Sequence, residues 1–69
     1  METLIINGNE KQFPDALPDT LADLIEQLEV ESKTIIAEVD GRIVECDNFG
    51  KTKVTNGQKI ELVRFMGGG

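Results

Sequence analysis

Two dipeptides dictate most of what this chain is able to fold into: Asn7-Gly8, after the aliphatic run Thr3-Leu4-Ile5-Ile6, and Asp40-Gly41, between Thr34–Val39 and Arg42-Ile43-Val44. Asn or Asp followed by Gly accepts the positive φ that a two-residue hairpin demands, so each dipeptide predicts two short antiparallel strands. The first hairpin returns along Glu10 to Phe13 and stops at Pro14, which has no N–H to give to a ladder. Asp15-Ala16-Leu17-Pro18 then reads as a loop. In the second hairpin, alternation puts Ile35, Ala37 and Val39 on one face and Ile36 and Glu38 on the other.

Between the hairpins the period changes. Leu21, Leu24, Ile25 and Leu28 fall at i, i+3, i+4 and i+7, one apolar stripe of a helix of roughly ten residues. Thr20 is its N-cap, Asp23 follows at capping-box spacing, and Asp19 adds negative charge at the positive end of the dipole. Glu31-Ser32-Lys33 is a polar connection into the second hairpin.

After Val44, residues Cys46 to Thr55 form an irregular excursion with Phe49 as its one large apolar anchor and a short helical turn expected near Asp47 to Gly50. Asn56-Gly57 marks another turn. The final strand, Lys59 to Met66, alternates Ile60 and Leu62 with Glu61, Val63 and Phe65. Gly67-Gly68-Gly69 has neither packing surface nor conformational preference, so it is expected to be a flexible tether ending in an unhindered carboxylate. The order hairpin, helix, hairpin, loop, strand gives an α+β domain: a mixed sheet of about five strands with one main helix on one face. That order matches the ubiquitin-like β-grasp, in which the last strand lies beside the first. The expected division is a β-grasp domain over 1–66 and a glycine tail over 67–69.

Composition narrows the function. Thirteen acidic against seven basic residues leave a net charge of −6, which repels nucleic acid and anionic lipid and favours a basic or neutral protein partner. Met1-Glu2 begins no basic leader, and no apolar run approaches membrane-spanning length, so the cytoplasm is the expected location. With no histidine and a single cysteine, the chain lacks the commonest general base and the ligands of a thiolate metal site. Cys46 has no partner for an internal disulfide, sits between Glu45 and Asp47, and is expected to be a spectator. The carboxylates of Asp15, Asp19, Asp23 and Glu26 are read as solvated charge rather than an acid/base pair or a calcium site. The one group left with distinctive chemistry is the carboxylate of Gly69.

Ile5-Ile6-Asn7-Gly8, Thr20-Leu21-Ala22-Asp23-Leu24-Ile25, Glu38-Val39-Asp40-Gly41-Arg42-Ile43-Val44 and the ending Val63-Arg64-Phe65-Met66-Gly67-Gly68-Gly69 together resemble the thiamin sulfur-carrier family, ThiS. The chain departs from the family pattern in the loop that holds Phe49, where the family usually has an aromatic, often tryptophan, and in the less helical character of Asp47-Asn48-Phe49-Gly50. The resemblance implies a carrier rather than an enzyme, with no cofactor of its own. A ThiF-type adenylyltransferase, similar to ubiquitin-activating enzymes, would use ATP and magnesium to adenylate Gly69. A persulfide donor would then supply sulfur, and a ThiG-type thiazole synthase would receive it from the thiocarboxylate to build the thiazole of thiamin. Gly67 and Gly68 would thread the partner's channel.

Other customers for the same chemistry remain open: molybdopterin synthesis, amino-acid biosynthesis, tRNA thiolation or conjugation to lysine, as does a plain β-grasp interaction module. For docking, alternation nominates Ile36, Val63 and Phe65 on the open sheet face, with Met66 at the base of the tail.

Overall fold

Both Asx-Gly dipeptides close two-residue hairpins. In the computed structural model, which describes residues 1–64, Asn7 and Gly8 have φ of 50° and 82°, and Asp40 and Gly41 have φ of 50° and 86°. Positive φ at both central positions is the turn whose twist matches that of the flanking strands. Strand β1 (Glu2–Ile6) thus pairs antiparallel with β2 (Asn9–Phe13) from Glu2↔Phe13 to Ile6↔Asn9. Strand β3 (Ile35–Val39) pairs with β4 (Arg42–Val44) from Ala37↔Val44 to Val39↔Arg42.

Strand β5 (Lys59–Arg64) joins the two hairpins. It runs parallel to β1 through Ile5↔Lys59 and Ile6↔Ile60, and antiparallel to β3 from Ile35↔Arg64 to Val39↔Ile60. The resulting order is β2-β1-β5-β3-β4, so the last strand lies beside the first at the centre of the sheet.

Helix α1 (Leu21–Gln27) covers one face. Its N-cap is Thr20, whose Oγ1 accepts the Asp23 N–H at 3.2 Å, which satisfies one of the helix's orphan donors. Leu21, Leu24 and Ile25 are buried against Leu4, Phe13, Ile35, Ala37 and Ile60. Leu28 is half-buried at the C-cap. At seven residues the helix is shorter than the apolar stripe predicts. Glu29 enters the left-handed region at φ 59°, its N–H donates to Glu26 C=O, and the Val30 N–H donates to Ile25 C=O. These two bonds are those of a Schellman cap, with Glu where Gly is usual.

The excursion after β4 is more ordered than its composition implies. Cys46–Lys51 is a 3-10 helix that sinks Phe49 to 2% exposure. Val54 is buried as well, a second anchor the sequence reading omits. Between them the chain pairs with the entrance to α1: Leu21 N–H donates to Thr52 C=O at 2.8 Å and Val54 N–H to Asp19 C=O at 3.1 Å. No helix among the described residues is long and apolar enough to cross a membrane. The expected tail, and with it Phe65, Met66, Gly67, Gly68 and Gly69, lies outside the described residues.

Candidate functional site

With Ile60 and Leu62 turned toward the helix, the pleat of β5 must send Glu61 and Val63 to the opposite face of the sheet. There they meet β3 in register. Ile36 lies opposite Val63, and Glu38 lies opposite both Glu61 on β5 and Ile43 on β4. Among the described residues no second layer covers these side chains: Ile36 is 42% exposed, Val63 55% and Ile43 70%. The open face is therefore three exposed aliphatic side chains around a pair of carboxylates.

The carboxylate pair is electrostatically unusual. Like charges directly opposite on neighbouring strands destabilise a sheet, yet Glu38 and Glu61 are cross-strand partners in a chain that already carries −6. Together with Ile5, Gly8 and Lys59 they line a shallow depression of about 460 Å³. A second depression of about 480 Å³ lies toward the β4 edge, lined by Ile36, Ile43, Val44 and Cys46. Cys46 is a free, exposed thiol, so the residue nominated as a spectator borders the same apolar surface.

The backbone of β5 is held at two points by side chains from the hairpin turns. Asp40 Oδ1 accepts the Lys59 N–H at 3.0 Å while the Asp40 N–H donates to Lys59 C=O at 2.8 Å. Asn7 Oδ1 accepts the Leu62 N–H at 2.7 Å while Asn7 Nδ2 donates to Leu62 C=O at 3.3 Å. Sequence reasoning assigned both residues to turns and missed this second role. Its signal is an Asx side chain whose own turn leaves it free to bond elsewhere.

Of the nominated docking residues, the structure brings Ile36 and Val63 together, while Phe65 and Met66 fall outside the described residues. Asp15, Asp19, Asp23 and Glu26 are all exposed. Among the described residues, no group of three or more His, Cys, Asp or Glu side chains is arranged to hold a metal.

This sheet, helix and open face are those of a ubiquitin-like β-grasp domain. The model of the ThiS family matches residues 4–69, and the chain belongs to that family. The crystal structure of a thiamine biosynthesis protein (ThiS) from Geobacter metallireducens is similar, with a TM-score of 0.84 and 29% identity over 97% of this chain and 99% of that one. The solution structure of a thiamine biosynthesis protein from the same organism has a TM-score of 0.77 and 29% identity, covering 97% and 87% of the two chains. A thiazole synthase of Paramagnetospirillum magneticum is 35% identical over 66 residues, which are 96% of this chain and 20% of that protein. The chain thus spans one fifth of that relative's length. An uncharacterized protein, ycf40, of Trieres chinensis is 31% identical over 68 residues, 99% of this chain and 90% of its own.

Proposed function

We propose that this protein is a sulfur carrier for thiazole formation in thiamin synthesis, and that its reactive group is the carboxylate of Gly69. The observation that carries the proposal is the family match, which spans residues 4–69 and so includes Gly69 itself. A carboxylate is a poor acyl donor, so it must first gain a leaving group. A carboxylate oxygen of Gly69 attacks the α-phosphorus of ATP in a ThiF-type adenylyltransferase, magnesium balances the phosphate charge, and pyrophosphate departs. The sulfur of a persulfide then attacks the acyl carbon and AMP departs. A thiol reductant cleaves the S–S bond of the resulting acyl disulfide, and a terminal thiocarboxylate remains.

The folded domain contributes recognition rather than catalysis. The aliphatic patch of Ile36, Val63 and Ile43 offers area to a partner, and the Glu38–Glu61 pair favours a partner that brings a cation between the two carboxylates. In the sequence, the apolar residues Phe65 and Met66 follow Val63-Arg64 and lead into Gly67 and Gly68, whose narrow cross-section suits passage into a buried site. The similarity to part of a protein named thiazole synthase supports a ThiG-type acceptor, since a carrier fused to its acceptor delivers at high effective concentration. The cytoplasm, where such partners would meet, is the proposed location.

The test is intact-protein mass spectrometry after incubation with a ThiF-type adenylyltransferase, MgATP, a persulfide donor and a thiol reductant. Exchange of one oxygen for sulfur, localised to Gly69 by fragmentation, is the expected result. A chain that never acquires sulfur overturns the carrier function, and sulfur localised elsewhere overturns the assignment to Gly69.

A further inference from the structure

We propose that Asn7 is a positioning residue: its side-chain amide fixes the course of β5 at Leu62, and thereby the presentation of residues 65–69 to the activating partner. The role rests on the carrier function proposed above. Strand β1 holds its neighbour only briefly, pairing Ile5 with Lys59 and Ile6 with Ile60. The Asn7 N–H adds one bond to Ile60 C=O at 2.9 Å, and the chain then turns away at φ 50° into its hairpin. At that point the side chain takes over. With Oδ1 on the Leu62 N–H and Nδ2 on the Leu62 C=O, the amide of Asn7 fills the place that one more residue of β1 would occupy.

Two demands meet in this one side chain. The backbone needs a residue that tolerates the left-handed region, and Leu62 needs a donor and an acceptor at the reach of a short amide. Gly satisfies the first demand alone. Asp satisfies the first and half of the second, since an ionised carboxylate offers no donor. On its other flank β5 is held by β3 as far as Ile35↔Arg64. Asn7 is therefore what keeps Leu62–Arg64 from pivoting on that single ladder. A base that pivots spreads the positions of whatever follows it and lowers the local concentration of the reacting end in a partner's site.

Asn7→Gly keeps the turn and deletes both bonds to Leu62; Asn7→Asp keeps the turn and one acceptor. Three measurements are made on each: amide hydrogen exchange by NMR, the unfolding midpoint, and kcat and KM for ATP-dependent pyrophosphate release with a ThiF-type adenylyltransferase. In Asn7→Gly, exchange at Leu62 is expected to accelerate about tenfold or more relative to Ile60. In the same variant kcat is expected to fall about tenfold at nearly unchanged KM, because docking survives and placement of the end does not. Asn7→Asp is expected to lie between parent and Asn7→Gly. Unchanged exchange at Leu62 overturns the clamp, and faster exchange with unchanged kcat overturns the positioning role. A parent chain that releases no pyrophosphate overturns the carrier function and the presentation role with it, while exchange at Leu62 still decides the clamp.

Discussion

Ile36 and Val63 stand directly opposite one another on β3 and β5, both exposed, on the sheet face that the helix leaves uncovered. A cross-strand aliphatic pair in water gains little for the fold, so its value is expected to appear in binding. The double variant Ile36→Thr, Val63→Thr keeps β-branched side chains and removes apolar surface. Its Kd for a ThiF-type adenylyltransferase, measured by calorimetry, should rise about tenfold, some 1.4 kcal/mol, with the unfolding midpoint within a few degrees of the parent. Equal affinity would place the docking surface elsewhere.

Gly68→Val separates folding from chemistry. A β-branched side chain restricts the backbone and widens the segment that is proposed to enter the partner. Thiocarboxylate formation followed by mass spectrometry should fall at least about a hundredfold, on the scale of a misplaced reactant, while the denaturation curve overlays that of the parent. A variant loaded at the parental rate would remove the narrow-passage argument.

Cys46→Ser addresses the thiol beside Ile36 and Ile43. Sulfur loading should be unchanged, because the group proposed to carry the sulfur is the terminal carboxylate. If loading is lost while the circular dichroism spectrum is retained, the exposed thiol takes part in the transfer and its spectator assignment fails.

Glu29→Gly should stabilise the domain. Glu29 sits at φ 59° in the Schellman cap of α1, a conformation that carries a steric cost of roughly 1 kcal/mol for a residue with a Cβ. Relief of that cost, set against the greater freedom of an unfolded glycine, leaves an expected gain of about 0.5 kcal/mol. Urea unfolding gives the difference, and a loss of stability would contradict it.

Phe49→Ala should be the most damaging single change among the described residues. The ring is 2% exposed, among the largest fully buried side chains, and its removal costs about 3–5 kcal/mol in a core. A domain of this size has little more than that to lose. The expected outcome is loss of the cooperative unfolding transition, with Phe49→Leu retaining one at a lowered midpoint.

What was legible in the sequence was local. The hairpins at Asn7-Gly8 and Asp40-Gly41, the Thr20 cap and the alternation of Ile60 with Glu61 all depend on residues a few positions apart. The excess helix length came from an apolar stripe that continues to Leu28, whereas Glu29 in the left-handed region stops the helix with no Gly or Pro to announce it. Burial of Val54 follows from pairing between residues 52–54 and 19–21, segments too distant for periodicity to relate. The grip of Asn7 on Leu62 spans 55 positions and becomes visible only once the strand order is known. The exposed Ile36–Val63 pair was readable because two alternations, each anchored by a buried neighbour, had to end on one face.

The position of β5 between β1 and β3 also has a meaning for biosynthesis. The segment that a ribosome delivers last among these strands is the one both hairpins need as a neighbour. Until Lys59–Arg64 has emerged, β1–β2 and β3–β4 are two separate ribbons, and isolated ribbons are marginal in water. A product interrupted before Ile60 lacks a core side chain, and it also lacks the Val63 half of the exposed pair. Completing translation through β5 is therefore the same event as assembling the surface a partner would recognise, so an unfinished chain has nothing to show.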